Sequence, residues 1–296
     1  MSEKTEALLQ KLEQGVKDVF TSERFINYLK FSAKFHRYSY NNVILIMVQN
    51  PDATMVAGFK KWNDMGRFVK KGEKGITILA PSFKKAQVHK LDGNNNPITD
   101  SEGKPVMIDK NINPSGFFPT HVFDVSQTDG EPIPELGGNY GGDMQDFELI
   151  WDALCESSPY PVDFKENLSI NGSKGICCHT KQSIHILKGL SQEESVSTLI
   201  HEIAHARTYS PEIKIGVDKP AREVEAESCA YVVSTYLGID CQQSSFEYIA
   251  SWCKSKDAKE LKQSLHNINK ESYAIITSVT DHLNERRNEK AYAFDR

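Results

Sequence analysis

The stretch Leu199-Ile200-His201-Glu202-Ile203-Ala204-His205 has the form H-E-x-x-H. On a helix, residues four apart lie one above the other on the same face. His201 and His205 can therefore offer their imidazoles to one metal ion, with Glu202 beside it. In such a pattern two neutral imidazoles hold zinc, and the intervening carboxylate takes a proton from the zinc-bound water as it attacks a carbonyl. The metal brings the pKa of that water down to about 7, so a hydroxide-like nucleophile exists at neutral pH. Three fixed positions arise by accident on the order of once in a hundred chains of this length, so the flanking sequence decides.

Upstream, Ser191-Gln192-Glu193-Glu194 reads as a capping box that starts a helix. From it Val196, Leu199, Ile200 and Ile203 recur at helical spacing and bury one face, while the His pair looks out from a neighbouring one. Just before the cap, 175–179 and 183–187 read as two short strands around Thr180-Lys181-Gln182. A strand beside the His helix would give an extended peptide an edge to pair with.

A catalytic zinc usually takes three protein ligands and keeps one position open. Residues 221–233 predict a second helix carrying Glu223, Glu225 and Glu227. Glu223 and Glu227 are four apart and share a face; Glu225 points away from both. Taken alone, a Glu-rich helix start is a solvated end favoured by the helix dipole. Here it follows the His pair by some twenty residues, with a turn signal at Ser210-Pro211 between the two helices. This arrangement resembles the gluzincin metallopeptidases, in which the ligand Glu is followed four residues later by an acid that orients a ligand His. The resemblance puts Glu223 on the metal and Glu227 behind His201 or His205. This chain has Glu where that family often has Asp, which leaves the two roles exchangeable. Zinc is the expected metal, and manganese is compatible because His and carboxylate ligands accept either.

At 296 residues the chain can hold two domains of ordinary size. A hydrophobic content of 39% and a charged content of 25% are those of a water-soluble globular protein. No apolar run approaches the roughly 20 residues of a membrane span, and Met1-Ser2-Glu3-Lys4 is no secretory signal, so a cytoplasmic location without membrane partners is expected. Six cysteines without C-x-x-C spacing predict free, mostly buried thiols. No P-loop or G-x-G-x-x-G is present, so nucleotide chemistry is not expected. A net charge of -5 excludes a chain that coats nucleic acid over its whole surface, while leaving room for one basic face.

Such a face is concentrated between Gly58 and Lys90, where nine Lys or Arg stand against Asp64 and Glu73. Before it, residues 3–37 read as two helices, and Val43–Gln49 as a buried helix that Asn50-Pro51 stops. The basic stretch is interleaved with Phe59, Trp62 and Phe68 and preceded by Tyr38 and Tyr40. Cations that follow phosphates, together with aromatic faces that stack on bases, suit single-stranded nucleic acid. The same composition also describes a solvated lysine-rich surface over an aromatic core.

The segments Tyr38-Ser39-Tyr40-Asn41-Asn42, Gln49-Asn50-Pro51-Asp52-Ala53-Thr54, Gly58-Phe59-Lys60-Lys61-Trp62 and 66–76 resemble the N-terminal domain of ArdC-type antirestriction proteins. That family joins a single-stranded-DNA-binding domain to a zincin-like metallopeptidase domain, in the order met here. Residues 222–231 and 245–252 resemble the branch found on conjugative elements of Gram-positive bacteria. The resemblance implies that Arg37, Tyr38, Tyr40, Asn41, Asn42, Lys60, Lys61, Trp62, Arg67, Lys70, Lys71 and Lys74 contact DNA.

The expected fold class is α+β: a mixed helix and sheet domain over 1–128, a Pro- and Gly-rich linker over 129–143, and a zincin-like domain over 144–296. The leading expectation is an antirestriction protein that binds single-stranded DNA and carries a zinc peptidase directed at an unnamed protein substrate. The alternative is a DNA-coating protein whose metal site is structural or proteolytically silent. A third reading turns the basic face toward an acidic protein instead of DNA.

Overall fold

The structure is a computed structural model that describes residues 3–19, 22–93, 96–133, 144–170, 172–208, 219–239 and 257–294. It is α+β, as the alternation of periodicities along the chain requires.

Three helices open the chain: α1 (Glu3–Val19), α2 (Ser22–Lys34) and α3 (Tyr40–Gln49). Leu8, Leu12, Val16 and Val19 bury one stripe of α1, and Phe25, Tyr28 and Leu29 bury one of α2. Ser39 caps α3, its hydroxyl accepting from the Asn42 amide at 3.4 Å. A short strand β1 (Val56–Ala57), helix α4 (Phe59–Asp64) and strand β2 (Arg67–Val69) follow. Then β3 (Ile76–His89) and β4 (Met107–Asp124) form a long antiparallel hairpin, to which β1 adds in the order β1-β4-β3.

That order leaves β3 with an outer edge, and α3 covers it. Asn42 donates from Nδ2 to the Leu79 carbonyl at 2.9 Å and accepts the Leu79 N–H at 2.9 Å. Gln49, seven residues and two turns further on, does the same to Thr77 at 2.9 and 3.0 Å. Two side-chain amides thus stand in for a fourth strand and close an edge that would otherwise template association.

The end of β4 is knotted by Asp124. One carboxylate oxygen accepts the N–H groups of Thr54 and Met55 at 2.8 and 3.1 Å. The other accepts the Ser126 N–H and hydroxyl at 3.0 and 2.7 Å. A 3-10 turn over Val125–Gln127 leads into β5 (Thr128–Gly130), which pairs antiparallel with β2. Thr128 to Gly130 are therefore sheet residues, while 134–143, most of the expected linker, lie outside the described residues.

The second half contains α5 (Met144–Ser157) and strands β6 (Val162–Lys165), β7 (Gly175–Cys178) and β8 (Ser183–Leu187) in the order β6-β8-β7. Helices α6 (Gln192–Thr208), α7 (Lys219–Leu237) and α8 (Ala258–Phe294) complete it. The capping box at Ser191 is formed in both directions, Ser191 Oγ accepting the Glu194 N–H and Glu194 Oε2 accepting the Ser191 N–H, each at 3.2 Å. Ile184 and Ile186 of β8 and Val196, Leu199, Ile200 and Ile203 of α6 are buried between sheet and helix. The Ser210-Pro211 turn and the 245–252 segment lie outside the described residues.

The two halves share packing. α2 lies against α7, His36 meets the Tyr236 ring edge-on at 4.7 Å, and Asn269 Nδ2 donates to the Tyr38 carbonyl at 3.0 Å.

Candidate metal centre and nucleic-acid face

Helix α6 presents His201 and His205 one turn apart, and α7 brings Glu223 across to them. His201 Nε2 and His205 Nε2 are 3.0 Å apart, and Glu223 Oε2 is 3.7 Å from the first and 3.6 Å from the second. Ligand atoms bonded to a tetrahedral zinc at ~2.0–2.1 Å stand about 3.3 Å from one another, a value these separations bracket. Among the described residues this is the set of His, Cys, Asp and Glu whose donor atoms converge within 4.8 Å.

Glu227, one turn beyond Glu223, turns to the back of the first imidazole, its Oε2 lying 3.2 Å from His201 Nδ1. The α7 carboxylates are thus sorted by atom: Glu223 faces both Nε2 atoms, and Glu227 faces Nδ1. Glu225 points elsewhere, as its helical phase predicts. It is buried and accepts from Ser264 Oγ at 2.6 Å and Asn267 Nδ2 at 3.0 Å, which anchors α7 to α8.

Electrostatics agree with a donor set built for a cation. Burial pulls the His201 imidazole down, but hydrogen bonds to Glu223 and Glu227 and the nearby Glu202 charge outweigh it and raise it to about 10. Hydrogen bonds from the two imidazoles hold the Glu223 carboxyl well below the usual carboxylate range against its desolvation. Three carboxylates around two imidazoles leave surplus negative charge that a divalent ion would neutralise.

Glu202 is 7% exposed, and burial pushes its carboxyl up. It faces β7, where the Cys177 backbone amide hydrogen-bonds to it. That approach requires Gly175. A Cβ there would come within 2.8 Å of Glu202 Oε1 and 2.6 Å of Thr198 Cγ2. In the strand order β7 is at the sheet edge, and it forms one wall of a cleft of about 360 Å³ that opens on Glu202 and the converging donors. Ile170 and Ile176 line another part of the cleft, and Lys219 and Arg222 line the end beside Glu223. Spacing does not signal the place of Gly175, Lys219 or Arg222 beyond the adjacency of Arg222 to Glu223, because that place depends on how the strand and α7 dock.

The expected DNA-contacting residues separate into two groups. Trp62 is 0% exposed and its indole N–H donates to the Phe123 carbonyl at 2.9 Å, so it anchors α4 to β4 and offers no face to a base. Asn42 is equally committed, at 8% exposed, to the edge of β3. Arg67 spends its guanidinium on the Thr128 hydroxyl and on the carbonyls of Thr128, Gly130 and Glu131, pinning β5 to β2. Tyr38 donates its hydroxyl to the Val56 carbonyl at 3.0 Å, and Tyr40 is half-buried against His266. Burial leaves Trp62 and Asn42 no surface for the expected nucleic-acid contacts, because a backbone partner draws each polar group inward, whereas Arg67, Tyr38 and Tyr40 stay half-buried beside their fold-holding contacts.

Arg37, Lys60, Lys61, Lys71 and Lys74 are exposed, and Asn41 is half-buried. Lys70 is exposed although its ammonium also meets the Ser126 carbonyl at 3.0 Å. The exposed aromatic surface among them is supplied by Phe59 and Phe68, 55% and 61% exposed.

Fold and sequence together define an α+β chain whose C-terminal half carries an H-E-x-x-H helix. Residues 1–112 match the family model of ArdcN, the N-terminal domain of anti-restriction factor ArdC. The chain thus carries an ArdC-type N-terminal domain over those residues. An uncharacterized protein of Bacillus anthracis is 25% identical over 317 residues, covering 98% of this chain and 54% of that one. Two Escherichia coli proteins named DNA primase TraC are each 25% identical; they cover 76% and 74% of this chain, which spans 16% and 21% of their lengths. The chain thus spans about half or less of these relatives. Two solved structures of the antirestriction ArdC protein from R388 plasmid are also similar. The metal-free one is 18% identical with a TM-score of 0.47, covering 81% of this chain and 85% of that one. The Mn(II)-bound one is 17% identical with a TM-score of 0.48, covering 83% and 85%. No helix among the described residues is long and apolar enough to cross a membrane.

Proposed function

We propose that this chain holds single-stranded DNA on its N-terminal part, hydrolyses peptide bonds in the cleft of its C-terminal part, and protects incoming conjugative DNA from restriction in the cytoplasm. The observation that carries the enzymatic half is the convergence of His201 Nε2, His205 Nε2 and Glu223 Oε2 beside a buried Glu202 carboxylate. Three donors fit a catalytic zinc better than a structural one, which normally takes four protein ligands. The same donors accept manganese.

Zinc bound there would supply Lewis-acid polarisation and an acidified water. Within the chain, Glu227 fixes the His201 ring through Nδ1, so that Nε2 carries its lone pair outward. The Glu202 carboxyl, raised by burial, accepts the proton of the attacking water and returns it to the leaving amine. The Cys177 N–H keeps that carboxylate aimed. The β7 edge offers backbone donors and acceptors to an extended peptide. On the other part, Lys60, Lys61, Lys70, Lys71, Lys74 and Arg37 would follow phosphates while Phe59 and Phe68 stack on bases. The ArdC-type N-terminal domain and the likeness to DNA primases support DNA as the partner, and the Bacillus relative supports the Gram-positive branch.

The test is Glu202→Gln. The variant is expected to keep the metal content and oligonucleotide affinity of the parent and to lose cleavage of an unfolded protein substrate. Wild-type cleavage by this variant rules out Glu202 as the base. Undiminished antirestriction by it would favour the DNA-coating alternative.

A further inference from the structure

One face of the β3–β4 hairpin carries a row of rings. Ile76 to Pro81 of β3 pair in unbroken register with Val122 to Phe117 of β4, so side chains alternate between two faces along this stretch. Ile76, Ile78 and Val122 are buried on the core face. The opposite face of β4 presents Phe117, Pro119, His121 and Phe123, and Phe59 at the start of α4 continues the row, its ring 6.5 Å from that of Phe123. Phe117 is 63% exposed and His121 is exposed, while Pro119 and Phe123 are half-buried. Successive positions of the row on β4 are about 6.8 Å apart, twice the roughly 3.4 Å step of a stacked nucleic-acid strand. The basic loop before β3 is packed against this row. A Cβ on Gly75 would come within 2.8 Å of His121 Cβ and 3.1 Å of Phe123 Cζ, and Gln127 Nε2 holds the loop by donating to the Lys74 carbonyl at 2.9 Å. Exposed Lys71 and Lys74 therefore flank the rings, and Lys60 and Lys61 follow Phe59 at their end. No residue on this face of the paired stretch is acidic.

We propose that β4 is a stacking rail for single-stranded DNA, along which the strand runs from Phe59 past Phe123 and His121 to Phe117, with bases on the rings and phosphates toward Lys60, Lys61, Lys71 and Lys74. The proposal rests on the single-stranded-DNA reading above. It adds the path of the strand, His121 and Phe117 as contact residues, and a spacing that selects unstacked bases. A duplex keeps its bases paired and stacked, so it cannot lay successive bases on rings set at twice the stacked step. An acidic protein segment would satisfy the lysines and leave the exposed rings of His121 and Phe117 unused.

The experiment titrates the full chain into a fluorescent oligothymidylate of about 12 nucleotides, a length within the range of site sizes for such surfaces. Phe117→Ala and His121→Ala are each expected to weaken binding about 10-fold. Neither should change the salt dependence, because each removes a ring and no phosphate contact, whereas Lys74→Gln should reduce the salt slope by about 1. Phe117→Trp and His121→Tyr, which keep a ring, are expected to bind as the parent does. In the unaltered protein, photo-crosslinking to an iodouracil-substituted oligonucleotide is expected to mark His121 or Phe117, a readout that needs no variant to fold. Parent-like affinity in both alanine variants, or crosslinks confined to other elements, overturns the rail and leaves the single-stranded-DNA reading standing. An equal loss of affinity for a duplex of the same length also overturns it. Failure of the parent to bind the oligonucleotide removes both.

Discussion

Single residues in this protein carry tasks that neighbours of the same type do not. Glu223, Glu225 and Glu227 share one helix and do three different things: one faces two imidazole Nε2 atoms, one locks α7 to α8, and one holds His201 by Nδ1. Glu227→Gln is expected to lower zinc affinity 10–100-fold by loosening the ring it orients, and Glu223→Ala to lower it further; competition with a chelating dye measures both. Asp124 works for stability. Burial pushes its carboxyl up, but hydrogen bonds from Ser126, Thr54 and Met55 outweigh that and hold it below the usual range. A carboxyl depressed in the folded state contributes stability that is fully present above the unfolded pKa of about 3.9 and is lost as pH falls through the folded value. Asp124→Ala is expected to cost about 2–3 kcal/mol at neutral pH and to flatten the loss of stability below about pH 4. Urea unfolding between pH 7 and pH 3 checks both, and parallel pH curves for parent and variant would contradict it. Trp62 and Phe68 make a matched pair. Trp62→Ala should lose about 3–5 kcal/mol of stability through the cavity it leaves, whereas Phe68→Ala should leave stability within about 0.5 kcal/mol and weaken oligonucleotide binding by about 1–3 kcal/mol. Thermal melts and fluorescence titrations separate the two.

Among the elements, β7 and α3 are each fixed by contacts their own sequences do not advertise. β7 lies close to α6 because Gly175 has no side chain to hold it away. Gly175→Ala is expected to shift the strand off Glu202, destabilise the chain by about 1–3 kcal/mol, and cost cleavage more than metal binding, since both His ligands stay on α6. A chelator titration beside a cleavage assay decides that ordering. α3 closes the β3 edge through Asn42 and Gln49. Replacing both with Leu would leave two buried backbone groups of Leu79 and two part-buried ones of Thr77 without these side-chain partners. Aggregation on mild heating, read by light scattering, should rise; an unchanged aggregation temperature would argue that another element covers this edge.

For the whole molecule, α7 is the shared piece. Its first half carries Glu223 and Glu227, and its second half packs with α2 of the N-terminal part, where Tyr236 meets His36. Buried apolar side chains run without interruption from α1 through α7 to α8. Metal that binds only the folded centre should therefore stabilise both halves together, by about 2.7 kcal/mol at a hundredfold excess over Kd. A single calorimetric transition that moves up with zinc and back with chelator is expected. Two transitions, of which only one responds, would show that the halves unfold separately.

Much of this was legible from spacing. The i, i+4 pair His201 and His205, the Ser191 capping box and the shared phase of Glu223 and Glu227 follow from 3.6 residues per turn, so the helices and the metal-facing side were readable one segment at a time. The periodicity of 3–49 and the strand pattern of 175–187 were readable for the same reason. Tertiary structure alone decided which of two equivalent carboxylates meets Nε2, that Trp62 and Asn42 turn inward while Phe59 and Phe68 stay outside, and that Lys219 and Arg222 line the same cleft as Glu202. The physical reason is common to all of these: local periodicity sets the phase of a side chain on its own element, whereas its partner is set by how two elements distant in sequence dock.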